Sequence, residues 1–109
     1  MIYRNNEVTL VRHVYNGNGN LSILMMAKDG TVFTVVSRNV VPLEPNQFAV
    51  DINNNPDIGA WLKKNGIAKD THYLAESGSL IYSVYELLIE LPSLELYRKA
   101  HESNLFTEV

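Results

Sequence analysis

The chain begins with alternating apolar and polar positions that are typical of an antiparallel sheet. β-Forming residues run from Glu7 to Tyr15, and the run Asn16-Gly17-Asn18-Gly19-Asn20 then interrupts them with residues that tolerate positive φ angles. An alternating strand returns from Leu21 to Ala27, a second tight turn follows at Lys28-Asp29-Gly30, and a third strand extends from Thr31 to Ser37. The pattern predicts a three-stranded meander.

A short helix is predicted in the middle of the chain. Two prolines make residues 38–46 an irregular crossing segment, and Gln47 to Ile52 is typical of a short strand. A helix over Pro56–Asn65 begins well, because Asn55 is a favoured N-cap and proline suits the first helical position. It ends at Gly66, which can adopt the left-handed conformation of a helix C-terminus. We expect the helix to pack on one face of the sheet through an apolar stripe anchored by the tryptophan: Ile58, Trp61 and Leu62.

The second half of the chain predicts one more strand and one more helix. Residues 67–79 are predicted as a loop, and Leu80 to Leu88 as a strand that is apolar on both faces and therefore central. Pro92 or Ser93 can open a helix that reaches about Ser103. The prediction is an α+β fold: a single domain over residues 1–109, with an antiparallel sheet of about five strands, one helix packed on a face and a C-terminal helix.

Composition narrows the classes of function. The 109 residues include no cysteine, which excludes disulfides and thiol chemistry, and the formal net charge is −3. The nine basic residues are scattered, so the composition disfavours a nucleic-acid groove, although Lys63, Lys64 and Lys69 leave a weak contact open. No run of about 20 apolar residues is present and no signal-peptide core opens the chain. We therefore expect a cytoplasmic protein without membrane contact.

The polar run over residues 51–57 is the closest approach to a metal site. Oxygen side chains alternate there as in a calcium-binding loop, but Pro56 stands where a glycine is needed and Leu62 occupies the twelfth position, where a carboxylate is needed. Three histidines, His13, His72 and His101, share no metal-ligand spacing. Ser77-Gly78-Ser79 lacks the nucleophile elbow of a hydrolase. The sequence predicts no catalytic set, no metal site and no cofactor.

One stretch carries the side chains from which a binding surface could be built. His72 and Glu76 lie in the predicted loop and could supply acid–base or ligand-binding groups. Tyrosine is enriched at interfaces, although tyrosines also lie in cores with the hydroxyl at the rim. The candidate interaction or ligand surface comprises five residues: His72, Tyr73, Glu76, Tyr82 and Tyr85.

The middle of the chain resembles a family of short bacterial proteins. The similarity rests on the asparagine-rich run Asp51–Pro56, on Trp61-Leu62, on Asn65–Lys69, on Ser77-Gly78 and on Tyr82 with Tyr85-Glu86. Together these motifs, over residues 51–86, resemble domain of unknown function 4313, whose members occur on phages, mobile elements and gut-bacterial genomes. The resemblance implies an accessory role and carries no catalytic residues with it.

Three functions remain open at this point. The first is a non-enzymatic module that binds another protein, which the small size, the acidic balance and the missing catalytic set favour. The second is a small-ligand-binding protein or enzyme that uses residues 67–79. The third is a weak nucleic-acid contact through the lysines of residues 63–69. Oligomeric state and the identity of a partner do not follow from the pattern.

Overall fold

A computed structural model describes residues 1–107, with side chains described as far as His101. These described residues form eight strands and two helices. In chain order they are β1 (Ile2–Tyr3), β2 (Asn6–Val14), β3 (Leu21–Ala27), β4 (Val32–Val35), β5 (Ser37–Arg38), β6 (Gln47–Val50), α1 (Ile58–Lys64), β7 (Ala68–Ser77), β8 (Leu80–Leu87) and α2 (Leu94–Thr107). The α+β class and the antiparallel pairing are confirmed.

The first sheet contains the predicted meander and one additional strand. Its order is β1-β2-β3-β4, and all three pairs are antiparallel. β1 joins β2 through a two-residue turn in which Arg4 and Asn5 both have positive φ angles, of 47° and 64°. This is the geometry of a type I′ hairpin, which usually contains Asn-Gly. Because Arg4 replaces the expected small residue, the sequence pattern did not reveal β1.

The prediction of one sheet with about five strands is wrong in its count. A second antiparallel sheet has the order β5-β6-β8-β7, so residues 1–107 contain eight strands in two sheets. The short strand β5 joins Ser37, predicted as the end of the third strand, to Arg38, predicted as the start of the irregular crossing, and it pairs with β6. Residues 67–79, predicted as a loop, include the ten-residue strand β7. β8 lies between two neighbours, as its two apolar faces predicted.

The main core lies between the two sheets and α1. Apolar side chains from β1, β2, β3, β6, β7 and β8 form one buried cluster, against which the partly buried Trp61 packs. The Trp61 ring meets the Tyr3 ring edge to face, with centroids 5.2 Å apart, and its Nε1–H donates to the carbonyl of Ile2 at 2.7 Å. Trp61 therefore does anchor the helix, and it also fixes β1.

The helix is shorter than its capping residues predicted. It begins at Ile58 after the cap residue Asp57, whose side chain makes no cap hydrogen bond. Asn55, the expected N-cap, is buried and instead donates its amide to the carbonyl of Val35 at 3.2 Å. The predicted end is confirmed, since Gly66 has a φ of 66° and the N–H of Ile67 reaches the carbonyl of Leu62 at 3.0 Å in a Schellman motif.

α2 covers the outer face of the first sheet. Leu94 is buried against Val11 and Met26, with Tyr97 partly buried beside them. A parallel bridge between Arg12 and Ser93 ties the start of the helix to β2. Leu96, two residues further along the helix, is 60% exposed. Among the helices that the structure describes, none is long and apolar enough to cross a membrane.

Candidate interaction site

β7 and β8 form a hairpin in which the predicted loop is a strand. Gly78 has a φ of 60° and makes the tight turn at its tip, where Ser77 pairs with Leu80. β7 is polar at most positions because it lies at the edge of the second sheet, where side chains on both faces reach water. Since strand prediction depends on apolar alternation, a solvated edge strand of this composition resembles a loop.

His72 lies in a bulge that interrupts β7. The register shifts between Asp70 and Tyr73, and His72 has a φ of 66°. Its N–H donates to Asp70 Oδ1 at 2.8 Å, and Thr71 Oγ1 donates to the carbonyl of Val84 at 2.6 Å. These bonds hold the bulge in a conformation that non-glycine residues rarely adopt. The bulge therefore has a clear structural role as a device that interrupts an edge strand.

The His72 side chain is largely in solvent and has one carboxylate near it. Its side chain is 87% exposed, and its Nδ1 lies 3.9 Å from Asp70 Oδ2. Glu76 is exposed, four residues further along the same edge strand. Over the residues that the structure describes, no group of three or more histidine, aspartate and glutamate side chains could hold a metal ion. A solvated imidazole with one carboxylate offers little for acid–base catalysis, which works best in a site that excludes water.

Two of the five predicted surface residues are buried. Tyr82 is 2% exposed, and its hydroxyl accepts a hydrogen bond from Asn53 Nδ2 at 3.2 Å. Tyr85 is 6% exposed and packs its ring against Phe48 with centroids 6.4 Å apart. The expected single surface is therefore not assembled, because His72, Tyr73 and Glu76 lie on the edge strand while both β8 tyrosines fill the core.

Four large apolar side chains of the hairpin remain outside the core. We define the hairpin surface as the residues Tyr73, Leu74, Leu80 and Ile81, whose exposed fractions are 67%, 68%, 48% and 59%. Leu74 lies opposite Ser83 and Ile81 lies opposite Glu76, so Leu74 and Ile81 share one face of the hairpin. The sequence signal for Leu74, Leu80 and Ile81 was apolarity alone, which could not separate a core position from an exposed one.

The backbone of β7 is open next to the same residues. The carbonyl of Glu76 accepts a hydrogen bond from the N–H of Val41 at 3.3 Å, so it points away from β8. Because backbone groups alternate along a strand, the N–H and C=O of Leu74 point the same way. In the part of the chain that the structure describes, no backbone group bonds to Leu74 on that side. The open edge is short, because the bulge at His72 lies on one side of Leu74 and the Val41–Glu76 hydrogen bond on the other.

The lysines proposed for a nucleic-acid contact have other surroundings. Lys69 pairs with Glu86, with Nζ and Oε2 3.3 Å apart. Lys63 and Lys64 lie in the last turn of α1, where positive charge complements the helix dipole. These placements give each lysine a role within the fold, and the nucleic-acid contact stays a prediction.

Comparisons with protein-family models, curated proteins and solved structures found no match. They therefore add nothing to the resemblance noted over residues 51–86, which stays a proposal.

Proposed function

We propose that this protein is a non-enzymatic module that binds another protein through the hairpin surface. The observation that carries the proposal is the exposure of Leu74 and Ile81, at 68% and 59%, on one face of a hairpin. Contiguous exposed apolar side chains of this kind mark interaction sites in soluble proteins. An accessory role, as the resemblance over residues 51–86 implies, requires a binding surface and no catalytic set.

The mode of binding follows from the edge of β7. A partner segment in extended conformation can bond to the outward N–H and C=O of Leu74, while its side chains contact Leu74 and Ile81. The bulge at His72 and the hydrogen bond from Val41 to Glu76 limit such pairing to a short stretch of β7. Side-chain contacts with Leu74 and Ile81 must therefore supply most of the affinity.

Site-specific photo-crosslinking tests this proposal. A benzoylphenylalanine is placed at position 74, at position 81 or, as a control, at position 64 on the exposed end of α1. We expect the same covalent adduct from positions 74 and 81 and none from position 64. The captured partner is then purified and titrated against the unmodified protein.

A double variant separates binding from folding. Because both side chains are exposed, Leu74→Lys with Ile81→Lys should change the free energy of unfolding by less than about 0.5 kcal/mol. It should also weaken binding of the purified partner by at least tenfold, which corresponds to about 1.4 kcal/mol. Equal adducts at all three positions, or adducts only with a second copy of the same chain, would overturn the proposal.

A further inference from the structure

A cleft lined mostly by residues with polar side chains lies where the two sheets meet, away from the Leu74–Ile81 face of the hairpin surface. Its volume is about 420 Å³, which lies in the range of small-molecule sites. Both sheets and the turn after β6 contribute to its wall. Its lining includes Tyr15, Ser37, Arg38, Asp51 and Asn54.

Asp51 is the most unusual residue of this wall. The residue is only 4% exposed, and its carboxylate accepts hydrogen bonds from the N–H and the Nδ2 amide of Asn54, at 3.3 and 2.8 Å. Both donors are neutral, and none of the ion pairs among the described residues includes Asp51. Since a buried carboxylate is costly without a compensating positive charge, a cation would stabilise Asp51, and no ion pair of the described residues supplies one.

Arg38 brings the opposite charge to the same cleft. The residue is exposed, and its guanidinium takes part in no ion pair within the described residues. β5 fixes its backbone, because Arg38 pairs with Ala49 in the second sheet. A guanidinium at a rim can bind a carboxylate through two parallel hydrogen bonds.

Two hydroxyl groups of the same cleft are held in place by the fold. Tyr15 Oη and Ser37 Oγ lie 3.0 Å apart, and Ser37 Oγ also accepts the N–H of Ile23 at 2.9 Å. This link joins β3 to β5 across the junction of the sheets, so the wall is set by the fold. Preorganised polar groups of this kind orient a ligand at low entropic cost.

We propose that this cleft binds a small aminocarboxylate, with its ammonium group against Asp51 and its carboxylate on Arg38. A zwitterion satisfies both charges at once, whereas an amine or an acid alone leaves one of them without a partner. The Tyr15 and Ser37 hydroxyls complete the hydrogen bonds of the ligand between those two ends.

Titrations of ¹⁵N-labelled protein, followed by amide chemical shifts, test the proposal. Glycine, 4-aminobutyrate and 6-aminohexanoate vary the separation of the two charges, while butylamine and butyrate are single-charge controls of matched length. We expect saturable shifts at residues 37–39 and 51–54 for at least one zwitterion. That zwitterion should bind at least tenfold more tightly than either single-charge control.

Three variants test whether Asp51 and Arg38 bind the two charged ends of the ligand. Asp51→Asn and Arg38→Gln should each weaken zwitterion binding at least tenfold, while Arg98→Gln on the exposed face of α2 should leave it unchanged. Arg38 is exposed, so its variant keeps the test valid if Asp51→Asn disturbs the turn with Asn54. Equal binding of zwitterions and single-charge controls, no saturable shift with any zwitterion, or unchanged affinity in Arg38→Gln would overturn the proposal.

Discussion

Positive φ angles at residues other than glycine identify where local geometry is imposed by side chains. Asn5 and Asn46 follow the known tolerance of asparagine for this region, with φ angles of 64° and 66°. Arginine has no such tolerance, and histidine shares it in part. Both Arg4 and His72 are held by a carboxylate, Asp57 for Arg4 and Asp70 for His72. The asparagines could be assigned to turns from composition, whereas the arginine and the histidine depend on partners that only the folded chain brings near.

Gly30 provides a residue-scale prediction. Its φ is 89°, and a Cβ added there would lie 2.5 Å from the Nε2 atom of His101 on α2. Gly30→Ala should therefore lower the free energy of unfolding by about 1–2 kcal/mol through backbone strain, with a further loss if His101 leaves its stack on Tyr97. Urea denaturation measures the change.

Gly17→Ala is the matched control for Gly30→Ala. Gly17 has no positive φ angle, and nothing lies within 4 Å of its added Cβ. Its substitution should change stability by less than about 0.5 kcal/mol. Equal losses in the two variants would show that neither the φ angle nor His101 constrains position 30.

At the scale of elements, one polar cluster joins the β1–β2 hairpin to α1. The Tyr3 hydroxyl donates to Asp57 Oδ1 at 2.6 Å, and Arg4 binds both oxygens of the same carboxylate, at 2.7 and 3.2 Å. These bonds from Arg4 and Tyr3 lower the pKa of Asp57 to about 2. Burial and the bond to Asp57 raise the pKa of Tyr3 to about 12.

The cluster around Asp57 makes the free energy of unfolding depend on pH. Because the folded-state pKa of Asp57 is depressed, its contribution is present above pH 4 and is lost as the pH falls through about 2. The difference in unfolding free energy between the parent protein and Asp57→Asn should be constant above about pH 5 and should shrink toward pH 2. Since Asp57 is half exposed, we expect a difference of about 1 kcal/mol or less at neutral pH, reduced further by salt. A difference that stays unchanged down to pH 2 would contradict this assignment.

Elements with regular apolar spacing could be predicted from sequence, and elements that depend on distant partners could not. The meander, the central strand β8 and the end of α1 at Gly66 follow from local alternation and a turn glycine. β5 has two residues and exists only through its pairing with β6, so no local signal defines it. The candidate surface could not be predicted for the same reason. Whether Tyr82 is buried and Leu74 exposed depends on which part of the hairpin other segments of the protein cover.

At the scale of the whole molecule, the two sheets share one core and each has a second covered face. α2 covers the outer face of the first sheet through Leu94 and Tyr97. Val40 and Leu43, from the segment between β5 and β6, cover the outer face of the second sheet over Tyr82. Within the described residues, neither α2 nor the segment between β5 and β6 packs on the end of the β7–β8 hairpin, so the apolar side chains there remain exposed. The layered arrangement thus determines the position of the proposed binding surface.

The contribution of α2 to this arrangement is tested by a pair of leucines on the same helix. Leu94 is 6% exposed against Val11 and Met26, whereas Leu96 is 60% exposed. Leu94→Ala removes the same atoms as Leu96→Ala but also leaves a cavity under the helix, so it should lower the free energy of unfolding by about 2–3 kcal/mol. Leu96→Ala should cost less than about 0.5 kcal/mol. Both are measured by thermal and urea denaturation, and the matched chemistry cancels any difference in helix propensity between the two sites. If both variants lose the same small amount, α2 contributes no packing energy to the first sheet, and the outer face of that sheet would have to be counted as a second exposed apolar surface.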